Sequence, residues 1–137
     1  MVPHFDWTKD MSVGDATLDE QHKKLLGQIN AIIDRIAGGG IILEKDLVLA
    51  MNFFVDYVRQ HLTYEEAYMA QGGYPELEEH KKKHAEFFKK YEEIRQRIAE
   101  SKELPDMLLV DIERYLGNWW LGHIGHEDKK YAKFFGH

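Results

Sequence analysis

Val58-Arg-Gln-His61-Leu-Thr-Tyr-Glu65-Glu-Ala-Tyr-Met-Ala-Gln-Gly72-Gly73-Tyr-Pro75-Glu-Leu-Glu-Glu-His80-Lys-Lys-Lys-His84 is the stretch that decides the fold. Upstream of Gly72-Gly73-Tyr74-Pro75, one stripe at three- and four-residue steps holds Leu47, Met51, Phe54, Val58, His61, Leu62, Glu65 and Met69. Downstream, the same spacing holds Leu77, His80, His84, Phe87, Phe88, Tyr91, Ile94 and Ile98. Such spacing is that of a helix with one inward face. Gly-Gly-Tyr-Pro stops one helix and lets the next begin. The spacing therefore predicts two helices, about 43–70 and 76–101, joined tightly enough to lie antiparallel.

Working outward, a first helix of about 19–38 opens after Asp19, a good N-cap. It carries Leu18, His22, Leu25, Leu26, Ile29, Ile32, Ile33 and Ile36 and stops at Gly38-Gly39-Gly40. A fourth, about 105–131, begins at Pro105 and runs through Leu108, Ile112, Tyr115, Leu116, Trp119, Trp120 and His123. Residues 1–18 read as an extended arm whose Phe5 and Trp7 pack on the helices, and the pairs Phe53-Phe54 and Phe87-Phe88 read as core. No alternating pattern of a strand competes. The expectation is a single all-α domain, residues 1–137, folded as an up-down-up-down four-helix bundle with an extended N-terminal arm.

Composition narrows the chemistry. The 137 residues suit one core, and 44% hydrophobic with 31% charged residues is ordinary for a globular chain. A net charge of −6 argues against a nucleic-acid partner, and Lys81-Lys82-Lys83 reads as a solvated helix face. Cysteine is absent, which excludes disulfides, iron–sulfur clusters and thiolate nucleophiles, so any metal must be held by histidine and carboxylate. No apolar run approaches the ~20 residues of a membrane span. The N-terminus lacks a basic stretch followed by an apolar one, so the expected location is the cytoplasm.

Polar residues interrupt the inward stripes in a pattern. His61 and Glu65 are four apart, as are His80 and His84, and so share a helix face. His22 replaces an apolar residue on the first stripe and His123 on the fourth, the latter followed by Glu127 and Asp128. His22 is near the start of its helix, His61 and Glu65 near an end, His80 and His84 near a start, and His123 near an end. In an up-down-up-down bundle these four ends coincide. Burying one polar group unpaired costs about 1–3 kcal/mol, and a charge costs more. A pair of divalent metals removes the penalty, because imidazole and carboxylate become ligands. The competing ferritin-like site uses Glu-x-x-His pairs, and the sequence contains none.

The segments Asp19-Glu-Gln-His22-Lys-Lys-Leu, His61-Leu-Thr-Tyr-Glu65-Glu, Tyr74-Pro-Glu-Leu-Glu-Glu-His80-Lys-Lys-Lys-His84 and Trp119-Trp-Leu-Gly-His123-Ile-Gly-His-Glu-Asp128 together resemble the hemerythrins, in the single-domain style of bacteria and archaea. The likeness spans residues 5–131. It implies two non-heme irons joined by an oxo or hydroxo bridge, with O2 as the ligand. His80, His84 and His123 would bind one iron, His22 and His61 the other, which keeps an open position, and Glu65 and Asp128 would bridge them. Spacing alone favours Glu127 over Asp128, since Glu127 lies four residues after His123 and Asp128 five. The family pattern selects Asp128 and so implies π-type loosening near Gly122 and Gly125.

Where the family commonly has a leucine lining the oxygen pocket, three residues before the fourth-helix histidine, this chain has Trp120. It reads equally as a core aromatic and as a pocket wall that restricts access to the open iron. His126 reads as solvent-facing, and His4 and His137 receive no role. The resemblance implies reversible O2 binding for storage, delivery or scavenging, not catalysis, with an oxygen-consuming protein as the partner a delivery role would serve. The alternatives are an oxygen or redox sensor domain, a di-iron oxidase or reductase, and a structural bundle holding zinc or manganese.

Overall fold

A computed structural model describes residues 5–37, 44–100, 111 and 113–137 of the chain. Its helices are α1 (Ala16–Ala37), α2 (Glu44–Gln71), α3 (Leu77–Glu100) and α4, a continuous helix over 113–134. The described residues contain no strand. The turn between α2 and α3 follows from its glycines. Gly73 takes a φ of 70°, open to glycine without strain. Its amide donates to Ala70 O and that of Tyr74 to Met69 O, which satisfies the last carbonyls of α2.

Contacts across helices fix the directions. Gln21, early in α1, meets His61, late in α2, and Glu66 near the end of α2 meets His84 near the start of α3. Arg97, late in α3, pairs with Asp111. Neighbouring helices are thus antiparallel, as the tight turn required.

The inward stripes of α1, α2 and α3 are buried from Leu18 to Ile33, from Leu47 to Met69 and from His80 to Ile98, with Leu77 and Phe88 half-buried. Expectations for the helix ends at residues 38, 43 and 101, and for Pro105, Leu108 and Ile112 of the fourth helix, lie outside the described residues.

Two expectations need correction. α1 begins at Ala16, not after Asp19, because Asp15 is the cap: its carboxylate accepts the Leu18 amide at 2.9 Å. Asp19 instead turns back to accept Ser12 Oγ at 2.5 Å and the Val13 amide at 2.9 Å. The arm is accordingly less extended than expected and includes a 3-10 turn at Lys9–Met11. Second, Phe53 is 71% exposed whereas Phe54 is buried. Successive residues on a helix point about 100° apart, so both cannot face one core. Phe5 does pack on the bundle: its backbone pairs with the Asn30 side chain, and its ring lies against Gly117, where a Cβ would collide with it.

α4 is irregular. Two π-helical turns, Glu113–Asn118 and His123–Glu127, interrupt it, with α-helical geometry at Trp119–Gly122 and Asp128–Phe134. The apolar interior is also divided. The main cluster runs through the body of the bundle, including Leu25, Ile29, Met51, Phe54, Phe87 and Trp120. A smaller one, Val13, Leu18, Met69, Tyr74, Tyr131 and Ala132, closes one end.

Candidate metal centre

Seven polar side chains lie buried together in the bundle. His22 comes from α1, His61 and Glu65 from α2, His80 and His84 from α3, His123 and Asp128 from α4, and none is more than 4% exposed. The structure brings together all seven residues singled out from the sequence.

The π turn decides which carboxylate of α4 takes part. The Asp128 amide donates to His123 O, a bond spanning five residues, which stacks Asp128 over His123. Asp128 Oδ1 then lies 3.1 Å from His123 Nε2. Glu127 turns outward to Lys130 at 3.3 Å, and His126 is exposed.

All five imidazoles point Nε2 at the two carboxylates, and each carboxylate divides its oxygens between two sides. Glu65 Oε2 faces His22 at 3.2 Å and His61 at 3.3 Å, while Oε1 faces His80 at 3.3 Å and His84 at 3.2 Å. Asp128 Oδ2 faces His22 at 3.2 Å, while Oδ1 faces His80 at 2.8 Å and His123 at 3.1 Å. The cluster therefore has two halves, one with His22 and His61, the other with His80, His84 and His123.

His22 Nε2 and Glu65 Oε2, 3.2 Å apart, meet in hydrogen-bond geometry, but most of the other contacts do not. His61 Nε2, His80 Nε2, Glu65 Oε1 and both Asp128 oxygens are buried without an aligned hydrogen-bond partner. His84 Nε2 and His123 Nε2 stand 3.0 Å apart, two nitrogens that as neutral acceptors would repel. Donor atoms of Glu65, His80, His84, His123 and Asp128 all fall within 4.8 Å of one another, as do those of His22, His61 and Glu65. Lone pairs converging on two shared points, with charge to be neutralised, fit cation binding.

Outer contacts orient the rings. His61 Nδ1 donates to Gln21 Oε1 at 2.7 Å, and His84 Nδ1 donates to Glu66 Oε2 at 2.8 Å. Because both partners accept, each ring keeps its Nε2 lone pair for the centre. Trp119 stacks on His123 with centroids 4.6 Å apart and planes 10° from parallel. The Tyr131 hydroxyl donates to Glu65 Oε2 at 3.1 Å. Sequence reading did not single out Gln21, Glu66, Trp119 or Tyr131 for the site. Trp119 and Tyr131 have a signal in helical spacing, four before His123 and three after Asp128, whereas Gln21 and Glu66 reach across to other helices.

Trp120 is wholly buried beside both halves. Its ring meets His61 at 5.9 Å and His123 at 5.8 Å between centroids, and Phe87 at 5.2 Å. Its indole nitrogen has no hydrogen-bond partner.

Burial and charge compete among these groups. Burial opposes protonation of His22, but contacts with Asp128 and Glu65 outweigh it and raise its pKa to about 9. The same carboxylates overcome burial at His80, raising it to about 10. His84 also rises, burial being outweighed by Glu65 and Glu66. At His61 burial prevails and lowers the pKa. Burial pushes Glu65 up, but His61, His22 and His80 hold it well below the usual carboxylate range. Asp128 is likewise held low by His123 and His22, against burial and the Glu65 charge.

The description "Hemerythrin HHE cation binding domain" matches residues 13–135. The chain belongs to the hemerythrin family. Among its relatives, the bacteriohemerythrin of Stenotrophomonas maltophilia is 29% identical over 132 residues, 92% of this chain and 78% of its own length. That of Pseudomonas paraeruginosa is 28% identical over 136 residues, 99% of this chain and 84% of its own. A hemerythrin-like protein of Naegleria gruberi is 26% identical over 127 residues, 93% and 90% of the two chains. Membership of the hemerythrin family implies non-heme iron binding, and the buried His/Glu/Asp cluster fits a metal site. Among the described residues, no helix is long and apolar enough to cross a membrane.

Proposed function

We propose that this hemerythrin binds O2 reversibly at a di-iron centre, for storage, delivery or scavenging, without turnover of a substrate. His80, His84 and His123 would hold one iron and His22 and His61 the other, with Glu65 and Asp128 shared between them and an oxo or hydroxo group completing the centre. The observation that carries this reading is the division of oxygens: both carboxylates give one oxygen to the two-histidine half and the other to the three-histidine half. The two halves also differ by one imidazole, which leaves the poorer one with room for an added ligand.

Two ferrous ions would supply the electrons that bound dioxygen takes up and returns on release. The protein's own part is to orient the donors and exclude water. Gln21 and Glu66 set two rings, Trp119 braces a third, and the apolar clusters above and below keep the centre dry. Trp120, against both His61 and His123, forms a wall of the ligand pocket and slows access to the open iron.

Iron analysis with anaerobic reduction and oxygen exposure tests this. The expected result is two irons per chain and charge-transfer bands that appear with O2 and recede on its removal. Rapid one-way conversion to a ferric form would overturn reversible binding in favour of a sensor or an enzyme. Zinc or manganese in place of iron in the purified protein would overturn the iron centre.

A further inference from the structure

The two oriented histidines have unlike partners. His61, in the two-histidine half, donates its Nδ1 proton to a neutral amide, Gln21, at 2.7 Å. His84, in the three-histidine half, donates its Nδ1 proton to a carboxylate, Glu66, at 2.8 Å. Both hydrogen bonds are short, and in each the ring is almost wholly buried. Glu66 is not one of the seven converging groups: its side chain is 30% exposed, and its contact with the cluster is the one through His84.

An anionic acceptor draws the Nδ1 proton more strongly than an amide does, and that moves electron density towards Nε2. A ring held this way is the better donor to a cation, and donates more to a trivalent ion than to a divalent one. The amide leaves the opposite ring closer to an ordinary neutral imidazole.

We propose that Glu66 and Gln21 are paired positioning residues that make the halves electronically unequal. Through His84, Glu66 makes the three-histidine half the electron-rich one and favours the trivalent state there. Through His61, Gln21 keeps the two-histidine half electron-poor. The assignment rests on the di-iron reading given above and adds to it which half gives up an electron more readily.

The test uses four chains: the parent, Glu66→Gln, Gln21→Glu and the double variant that exchanges the two groups. Every variant keeps a side chain able to accept the Nδ1 proton. Long-range proton–nitrogen NMR on the zinc-loaded protein reads the Nδ1–H resonances of His61 and His84, with no dependence on oxygen or iron. His84 should lie downfield of His61 in the parent, shift upfield in Glu66→Gln, and the two should exchange order in the double variant. Spectroelectrochemistry on the iron-loaded protein reads the loss of one electron per divalent ion to the electrode, with no bond made. The potential should rise in Glu66→Gln, fall in Gln21→Glu and return towards the parent in the double variant. Unmoved His84 resonances, or a potential that falls in Glu66→Gln, would overturn the inference while leaving the di-iron reading in place. A parent chain that takes up neither metal would overturn both.

Discussion

The amide of Asp128 donates to the carbonyl of His123, five residues earlier, and this one π-helical bond brings the Asp128 carboxylate within 3.1 Å of the His123 ring. On a regular helix Glu127 would take that place. The irregular turn thus chooses between two adjacent acidic residues, one buried at the cluster and one paired with Lys130. Asp128→Ala should therefore lose at least one metal ion per chain, whereas Glu127→Ala should keep both. Elemental analysis of the two purified variants checks this, and equal loss in both would remove the assignment.

Tyr131 gives the second prediction. Its hydroxyl donates to Glu65 Oε2 at 3.1 Å, and its ring packs among Tyr68, Tyr74 and Phe135. Tyr131→Phe keeps the packing and removes only the donor. A buried hydrogen bond to a charged group contributes about 1.5–3 kcal/mol, and groups that orient ligands affect metal affinity by roughly 10–100-fold. Metal affinity in Tyr131→Phe should fall by about tenfold, read by competition with a chelator. Unchanged affinity would mean that Glu65 is oriented by the surrounding rings alone.

The bundle was legible because apolar spacing and the Gly-Gly-Tyr-Pro break are local signals, and His22, His61, His80 and His84 stood out as polar residues on otherwise apolar stripes. Asp128 was legible only by likeness to a family, since spacing on a regular helix favours Glu127. The choice between Asp15 and Asp19 as the cap of α1 was not legible. Both are good caps, and the outcome depends on Ser12 and Val13 folding back to occupy Asp19. Gln21 and Glu66 were hidden for a related reason. Each orients a histidine on a neighbouring helix, so its role depends on how the helices are rotated against one another, which periodicity within one helix does not specify. Phe53 misled because an aromatic doublet looks apolar whichever of its members faces solvent.

Removing metal should expose a pH dependence whose sign follows from the cluster. His22 and His80 have native pKa values of about 9 and about 10 against an ordinary 6.5. Raised values stabilise the fold fully below 6.5, and that contribution is lost as pH rises through 9 and 10. Glu65 and Asp128 are depressed, so their contribution is present above the ordinary carboxylate values and lost as pH falls through their lower native ones. His61, lowered by burial, opposes folding when pH falls below 6.5. The metal-free chain should thus melt at a lower temperature at pH 10 than at pH 6.5. The metal-loaded chain, whose carboxylates are neutralised by cations, should lose much less over the same range. A metal-free melting temperature that is flat or rising between those values would contradict this account of the cluster.

Trp120 supplies the last prediction, because bulk and access can be separated there. Its ring is fully buried, edge-on to His61 and His123 and to Phe87, and its unpartnered indole nitrogen makes it an expensive residue to keep for packing alone. Leaving such a donor unpaired costs about 1–3 kcal/mol, which a leucine would not incur. Trp120→Leu opens space beside both halves of the cluster, and the cavity offsets the relief by roughly 1–3 kcal/mol, so stability should change little. Kinetics should change more. Oxygen and water reach the two-histidine half faster, so stopped-flow on-rates and autoxidation should both rise by about tenfold, equivalent to about 1.4 kcal/mol of barrier. Trp120→Phe, which keeps an aromatic wall and removes the indole nitrogen, should stay near the parent in both rates. Unchanged rates in Trp120→Leu would reduce Trp120 to a core aromatic. Equal acceleration in Trp120→Phe would shift the effect from the ring's bulk to its N–H.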